Sequence, residues 1–262
     1  MASTSDMESA ISAILKRVAG VFGVVARRVD GNDGIMLNEN EVFPSASVIK
    51  VPMMVDLFCL RDEGRLSLDE TVKLREEDRT DGSGVLKDLH AGLELTVLDL
   101  IILMIVQSDN TATNMLIDRI GMESVNGRMR GLGLEKTTLA RGMYDWDAQA
   151  KGFENVCTPR EIATLLESML EGSISSMSTS TEMLEIMARQ QWRERIPLLL
   201  PEGTKVANKT GSITGVTHDV GVIYGPSGPY VLCVMTKGVS DVISAERAIA
   251  EVSRRVYEFY CS

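Results

Sequence analysis

The chain has 262 residues, 44% of them hydrophobic, and a formal net charge of −10 at neutral pH. This length allows one large domain or two closely packed ones, with enough apolar residues for a sizeable core. The negative charge argues against nucleic-acid binding, because phosphate recognition needs a concentrated basic patch. The four cysteines, Cys59, Cys157, Cys233 and Cys261, are widely separated, with neither a CxxC pair nor metal-ligand spacing. We expect no metal and no cofactor.

The N-terminus and the longest apolar run bear on where the protein is found. Residues 1–8 have no basic segment followed by an apolar stretch, which a secretory signal requires. The apolar run over 100–106 is far too short to span a bilayer. We therefore expect a cytoplasmic protein that does not bind membranes, although a signal removed beforehand would leave the same sequence.

The two ends of the chain contain the segments with strand-like patterns. Short apolar runs alternate there with turns rich in Gly, Pro, Asn and Asp, including a strong turn signal over 30–34. In chain order, the predicted elements are a helix over 6–19, strands over 21–29, 35–37 and 42–43, strands over 205–209, 218–224 and 230–236, and a helix over 246–260.

The region between these ends is predicted to be helical. Thr96 and Asp99 form a capping-box pattern before an apolar helix, and Thr158, Pro159 and Glu161 open another helix. The sequence therefore predicts an α+β fold. Residues 1–50 and 204–262 would form an antiparallel sheet of about five strands flanked by the terminal helices, with residues 51–203 as an inserted all-helical domain.

The first chemical cluster is Ser47-Val48-Ile49-Lys50. Residues three apart on a helix share one face, so the lysine amine is expected beside the serine hydroxyl. A serine is a poor nucleophile until an adjacent base accepts its proton, and a buried lysine with a depressed pKa can be that base. Pro52 is awkward for a helix in this place, because a proline beyond the first turn loses a hydrogen bond.

The second cluster is Ser108-Asp109-Asn110, directly after the apolar helix. The Ser108 hydroxyl is suited to relaying a proton toward a leaving nitrogen, and the Asn110 amide to binding a substrate carbonyl or Lys50. The same three residue types are also preferred helix caps, so this cluster alone leaves a structural role open.

The third cluster, Lys209-Thr210-Gly211-Ser212, follows a predicted strand. Gly211 allows a substrate to approach the backbone, and the hydroxyls of Thr210 and Ser212 are suited to holding a carboxylate. Lys209 would add positive charge near Ser108. Read alone, this cluster is also compatible with an exposed turn.

These clusters, SxxK, SDN and KTG, occur in the order and at spacings that resemble the class A serine β-lactamase and penicillin-binding-protein superfamily. The resemblance spans nearly the whole chain and implies that family's fold, with the active site between the sheet and the helical domain. It implies Ser47 as the acylated nucleophile, Lys50 as general base and Ser108 as proton shuttle. The backbone amides of Ser47 and Ser212 would form the oxyanion hole, with Lys209 completing the catalytic group.

One family signature is missing. Class A enzymes carry a Glu-x-x-x-Asn motif whose glutamate activates the deacylating water, and the corresponding position here is near Gly142 or Met143. Asp145, Asp147 or Glu154 is a replacement only if the loop folds differently. The alternative for each carboxylate is an ion pair with Arg141 or Lys151.

The two histidines and the segment before Pro197 are further candidates for the site. Neither His90 nor His218 has a GxSxG or HExxH context, which argues against a Ser-His-Asp triad or a zinc site, and only His218 is expected near the pocket. The segment with Trp192, Arg193 and Arg195 borders the site in relatives. An arginine there is suited to holding a substrate carboxylate with two hydrogen bonds, but a solvated helix face is the expected place for these residues.

The sequence therefore predicts a monomeric, β-lactamase-like serine hydrolase that cleaves a β-lactam or related amide through a Ser47 acyl-enzyme. An esterase or a D-amino-acid peptidase or acyltransferase of the same superfamily is one alternative. The other, from a different class, is a penicillin-binding sensor domain that is acylated but not turned over.

Overall fold

Strands from both ends of the chain build one sheet in the computed structural model, which describes residues 3–28 and 34–261. In chain order the strands are β1 (Val21–Arg28), β2 (Gly34–Leu37), β3 (Phe43–Pro44), β4 (Thr71–Lys73), β5 (Glu94–Thr96), β6 (Val156–Cys157), β7 (Lys205–Ile213), β8 (Val216–Gly225) and β9 (Gly228–Lys237). The main sheet has the order β2-β1-β9-β8-β7, and every neighbouring pair is antiparallel. The predicted α+β class is confirmed. Residues 29–33, with most of the predicted turn, lie outside the described residues.

Helices cover both faces of this sheet. They are α1 (Thr4–Leu15), α2 (Lys50–Asp62), α3 (Val97–Val106), α4 (Asn110–Ile120), α5 (Met122–Gly131), α6 (Trp146–Ala150), α7 (Pro159–Glu171), α8 (Met177–Met187) and α9 (Val242–Cys261). The stretch 51–203 is mainly helical, but it also contains the short strands β4, β5 and β6. Within the described ranges, none of the helices combines the length and the apolar character that crossing a membrane requires.

Alternating residues of the central strands enter two hydrophobic cores. On β9, Val231 and Cys233 face the core of the helical region, whereas Leu232 and Val234 face the core formed with α1 and α9. This is the two-residue periodicity of a strand buried on both faces. The sheet is therefore the middle layer, and its helical-region face carries the predicted site.

Two strands differ from their predicted form in ways that matter for the site. The predicted strand over 205–209 continues to Ile213, so the whole KTG cluster lies inside β7 and pairs with β8. The predicted edge strand over 42–43 is β3, which pairs with β6 instead of joining the main sheet. The extension of β7 was not predicted because its last residues are polar. The pairing of β3 with β6 was not predicted because the two strands lie far apart in the sequence.

A buried aspartate fixes the junction between α3 and α4. Asp109 caps α4 by accepting from the Ala112 N–H at 2.9 Å. Its other oxygen accepts from the N–H groups of Val85 and Leu86 at 2.7 and 2.9 Å. Gly84 has φ +106°, and an added Cβ there would lie 2.2 Å from the Asp109 carboxylate. The carboxylate thus ties the loop before Leu86 to the SDN cluster.

Replacing Asp109 by alanine should destabilise the protein by about 3 kcal/mol, because it removes a helix cap and leaves buried N–H groups without an acceptor. Urea unfolding of the Asp109→Ala variant measures this loss. Asp118→Ala, an exposed aspartate on the same helix, is the control and should change stability by less than about 0.5 kcal/mol. Equal unfolding free energies for the two variants would contradict this role of Asp109.

Candidate active site

Ser47 and Lys50 lie where a 3₁₀ turn passes into an α-helix. The turn covers Ala46–Ile49 and Lys50 is the first residue of α2. Side chains three apart eclipse each other on a 3₁₀ helix, so this local structure keeps the two groups on one face. Pro52 falls in the first turn of α2, where the missing N–H costs no intrahelical bond. The predicted difficulty with this proline therefore does not arise.

Lys50 is fully buried and bonded to the SDN cluster. Its Nζ donates to the backbone oxygen of Ser108 at 2.7 Å, to Ser108 Oγ at 3.2 Å and to Asn110 Oδ1 at 2.8 Å. The side-chain amide of Asn110 also donates to the backbone oxygen of Asp81 at 2.9 Å. These contacts use one amide N–H of Asn110, and Asn110 lines the cleft that contains Ser47.

A second buried amine reaches the same serine from the sheet. Lys209 Nζ donates to Ser108 Oγ at 3.0 Å and to the Thr210 backbone oxygen at 2.7 Å. Ser108 itself has φ +56°, a left-handed conformation that is strained for a residue with a side chain. The structure thus brings Lys50, Ser108 and Lys209 together around one hydroxyl.

Burial decides the charge state of these amines. It lowers the pKa of Lys50 well below its usual value, and the positive charge of Lys209 lowers it further, against the opposing effect of Asp109. Burial also lowers the pKa of Lys209 to about 7, with Asp219 opposing and Arg195 reinforcing the decrease. Burial therefore favours the neutral, proton-accepting form of Lys50, in which one of its three contacts is not a donated hydrogen bond.

Strand β7 passes directly against the serine turn. A Cβ added to Gly211 would lie 3.2 Å from both the Ser47 nitrogen and the Ala46 Cβ, so a larger residue would require the serine turn to shift by a few tenths of an ångström. The next residue, Ser212, lines the same cleft as Ser47, whereas Thr210 is almost completely buried. The backbone of β7 is therefore placed beside Ser47, as an oxyanion hole requires.

Arg195 is buried at this end of the site, and the prediction of a solvated helix face is wrong for it. Its guanidinium donates to Ser212 Oγ at 2.7 Å, to Glu246 at 2.7 and 3.1 Å and to the His218 oxygen at 2.9 Å. Only 8% of Arg195 is exposed. The ion pair with Glu246 of α9 offsets the cost of burying this charge.

A loop over 142–154 leaves and re-enters the fold at one point. Asn155 joins the two ends of this loop. Its Oδ1 accepts from the N–H groups of Ala140 and Arg141 at 2.7 and 3.0 Å, and its Nδ2 donates to the backbone oxygen of Arg141 at 3.0 Å. The Asn155 backbone oxygen accepts from Ser45 N–H at 2.7 Å. The loop is thereby anchored two residues before Ser47.

The middle of this loop is tied to α4. Asn114 accepts from the Met143 N–H at 2.8 Å and donates to the Met143 oxygen at 3.0 Å. Met143 lines the cleft that contains Ser47, and its side chain is an apolar thioether. At the position where the family resemblance places a glutamate, the cleft therefore has no carboxylate.

The three candidate replacement carboxylates have different surroundings, and Asp147 does not line the cleft. Asp145 is exposed, caps α6 through the Ala148 N–H at 2.9 Å, and faces a separate hollow beyond Met143. Glu154 lines the Ser47 cleft, but its oxygens accept from Arg141 at 2.8 Å and Gln149 at 3.0 Å. Of the three, only Glu154 lines the cleft that contains Ser47.

The cleft has a volume of about 770 Å³ and lies between the serine turn, the 142–154 loop and the end of β7. In the described part of the chain, no three or more His, Cys, Asp or Glu side chains gather closely enough to hold a metal ion. The residues that line the cleft are Ala46, Ser47, Gly82, Ser83, Gly84, Val85, Gln107, Asn110, Arg141, Met143, Tyr144, Trp146, Gln149, Glu154, Asn155, Trp192, Ser212, Ile213 and Thr214.

Two buried residues on β8 support the site: His218, which was expected near the pocket from its place in the sequence, and Asp219, which had not been singled out. Asp219 is buried and accepts from Ile196 N–H and Asn208 Nδ2, both at 2.9 Å, and burial raises its pKa to about 6. His218 is buried beside it, accepts from Thr236 N–H at 2.9 Å and contacts the Pro44 oxygen at 2.8 Å. Because Nδ1 is an acceptor, Nε2 carries the proton and donates to Pro44. His218 therefore supports the segment before Ser47 rather than lining the cleft.

Comparisons with known proteins agree with this geometry. The model of the beta-lactamase enzyme family matches residues 6–260. A beta-lactamase of Phocaeicola vulgatus is 28% identical over 97% of this chain and 84% of its own length. The crystal structure of a beta-lactamase from Sphaerobacter thermophilus DSM 20745 has 36% identity and a TM-score of 0.90, covering 99% of this chain and 98% of its own.

A structure of PBP-A is similar to nearly the same degree, with 32% identity and a TM-score of 0.89 over 98% of this chain and 96% of that one. A variant of PBP-A was solved as an acyl-enzyme complex with penicillin G. The predicted class, a β-lactamase-like serine hydrolase, is confirmed, and the chain belongs to the beta-lactamase enzyme family.

Proposed function

We propose that the protein cleaves a β-lactam or a related amide through an acyl-enzyme on Ser47, and that this acyl-enzyme is long-lived. The observation that carries the proposal is the Ser108 hydroxyl, held at 3.2 and 3.0 Å from the amines of Lys50 and Lys209. This arrangement provides a base and a proton relay without a histidine. Two buried lysines around one hydroxyl have little value for stability, because burying cationic amines costs free energy.

These contacts, and the position of Lys50 three residues after Ser47 at the start of α2, support the following proposed acylation steps. Neutral Lys50 accepts the Ser47 proton while Ser47 Oγ bonds to the substrate carbonyl carbon. Ser108 then gives its proton to the leaving nitrogen as the carbon–nitrogen bond breaks, and the Lys50 ammonium returns a proton to Ser108. Lys50 ends neutral, as it began. The N–H groups of Ser47 and Ser212 stabilise the oxyanion formed between these steps.

Four residues would hold the substrate. The second amide N–H of Asn110 binds a carbonyl on the acyl side, and Gly211 leaves room for the substrate to lie along β7. The hydroxyls of Thr210 and Ser212 bind a carboxylate on the leaving-group side, with positive charge from Lys209 behind them. Arg195 supports Ser212 in this role through its 2.7 Å hydrogen bond.

Deacylation is the slow half of the proposed cycle. Met143 offers no base, and Glu154, the carboxylate at the edge of the cleft, is occupied by Arg141 and Gln149. Asp145 lies on the far side of Met143. The same observation favours a second candidate, transfer of the acyl group from an ester or a peptide ending in a D-amino acid to an amine, because an amine nucleophile needs less activation than water.

Incubation with benzylpenicillin should add one acyl group to Ser47, and the adduct should persist through many acylation half-times. Intact-mass measurements over time give both rates. Ser47→Ala should abolish the adduct, while Ser83→Ala, which removes another hydroxyl lining the cleft, should retain it. Labelling that survives Ser47→Ala would move the nucleophile elsewhere. A single labelling without any product release would instead support a sensor domain.

Acylation should decline at low pH, because protonation of Lys50 removes the base. The charge on Lys209 contributes to the low pKa of Lys50, so Lys209→Met should raise that pKa. The acid limb of the acylation rate should then move to higher pH by about one pH unit, whatever the loss in absolute rate. A limb that stays in place or moves to lower pH would exclude Lys50 as the titrating base.

Met143→Glu should speed deacylation by about 100-fold, because a carboxylate there can activate the attacking water. Met143→Gln has the same length without a basic oxygen and is the matched control. The rate is the disappearance of the acyl adduct after excess benzylpenicillin is removed. Equal adduct lifetimes in the two variants would show that this part of the cleft does not reach the hydrolytic water.

A further inference from the structure

The cleft above Ser47 gathers exposed aromatic residues. Both tryptophans of the chain line it, with Trp146 exposed by 59% and Trp192 by 45%. Tyr144 lines it as well and is 42% exposed. Large apolar rings that share a concave space with a nucleophile mark a ligand-binding surface, because water-exposed apolar area is otherwise unfavourable.

Two of these rings form a unit on the 142–154 loop. The rings of Tyr144 and Trp146 meet edge-to-face, with their centroids 5.1 Å apart and their planes at 69°. The backbone N–H of Trp146 also donates to the backbone oxygen of Tyr144 at 3.0 Å. Tyr144 has φ +61°, a conformation that costs free energy for a residue with a side chain. Strained backbone at the cleft wall is typical of a functional position.

A glycine in the opposite wall makes room for the tyrosine. A Cβ added to Gly82 would lie 2.4 Å from Tyr144 Cε2 and 2.6 Å from Asn110 Nδ2. The Tyr144 ring therefore lies against the Gly82 backbone and close to the Asn110 amide. That amide binds the acyl-side carbonyl in the proposed function.

Trp192 approaches the cleft from a different segment. It follows Gln191, whose side chain accepts a hydrogen bond from Gln107, the residue before Ser108. The proximity of the Tyr144 ring to Gly82 and to the Asn110 amide assigns the Tyr144–Trp146 pair to the acyl side of the proposed function.

We propose that Tyr144 and Trp146 form an aromatic subsite that selects substrates with an aromatic ring in the acyl side chain. This inference rests on the proposed function, since it assumes an acyl-enzyme on Ser47. A ring entering the subsite stacks on surfaces that are already ordered, so binding fixes few additional side-chain rotations. The substrate class is therefore an arylacetyl or similar aryl-bearing amide.

Two penicillins that differ only in the ring test this selection. Benzylpenicillin carries a phenylacetyl group, and 6-acetamidopenicillanic acid keeps the amide without the phenyl ring. Second-order acylation rates from intact-mass time courses should favour benzylpenicillin by about tenfold in the wild-type protein. Tyr144→Ala and Trp146→Ala should each reduce this ratio severalfold. Phe153→Ala, an exposed aromatic on the same loop outside the cleft, should preserve it.

The outcomes separate this inference from the proposed function. Equal rates for the two penicillins in the wild type, or an unchanged ratio in both loop variants, would overturn the aromatic subsite while leaving the acyl-enzyme intact. If neither penicillin labels Ser47, the proposed function fails. Tryptophan fluorescence of the Ser47→Ala protein then decides the subsite. A saturable change with N-phenylacetylglycine and none with N-acetylglycine supports it, and no change with either compound overturns it.

Discussion

The site depends on two lysine amines buried on either side of one hydroxyl. Lys50 and Lys209 both reach Ser108 Oγ, and amines this close in a water-poor interior cannot both carry a full charge without a large penalty. Two buried aspartates partly offset this penalty. Asp109 raises the pKa of Lys50 and Asp219 raises that of Lys209, so each amine has one opposing charge. Burial, reinforced by repulsion from Lys209, still lowers the pKa of Lys50 and favours its neutral form, which is the state that a general base needs.

This cluster exists only when the sheet and the helical region pack together. Lys50 begins α2, Ser108 lies between α3 and α4, and Lys209 comes from the middle of β7. The left-handed backbone of Ser108 stores unfavourable free energy where these elements meet, and Gly211 lets β7 approach Ser47 closely there. Packing on both faces of the sheet, together with the Asp109 cap, compensates for that cost. Stability and catalytic geometry are thus coupled at the same contacts.

Much of the fold and of the candidate site could be predicted from the sequence, because both depend on local interactions and on the order of the clusters along the chain. The three clusters identified the family, and the caps at Thr96 and Thr158 were correct since capping is a local interaction. Arg195 was misplaced because its partner, Glu246, lies 51 residues away. The end of β7 was placed too early, because the polar residues after Asn208 are buried by the helical region, which no strand pattern reveals. The roles proposed for individual site residues remain predictions.

The 142–154 loop links the missing base to the aromatic subsite. Asn155 joins its two ends, Asn114 bonds both backbone groups of Met143, and the Tyr144 ring rests on Gly82. The loop is thus fixed at three points, and turning Glu154 toward the acyl group would break its ion pair with Arg141. Consecutive residues of the loop therefore have different effects in the proposed cycle. Met143 has no group that can activate the hydrolytic water, whereas the Tyr144 ring contacts the acyl side chain. A rigid wall that binds the acyl group tightly and does not activate water prolongs the acyl-enzyme, so the lifetime of that intermediate and the selection of its acyl group have one structural origin.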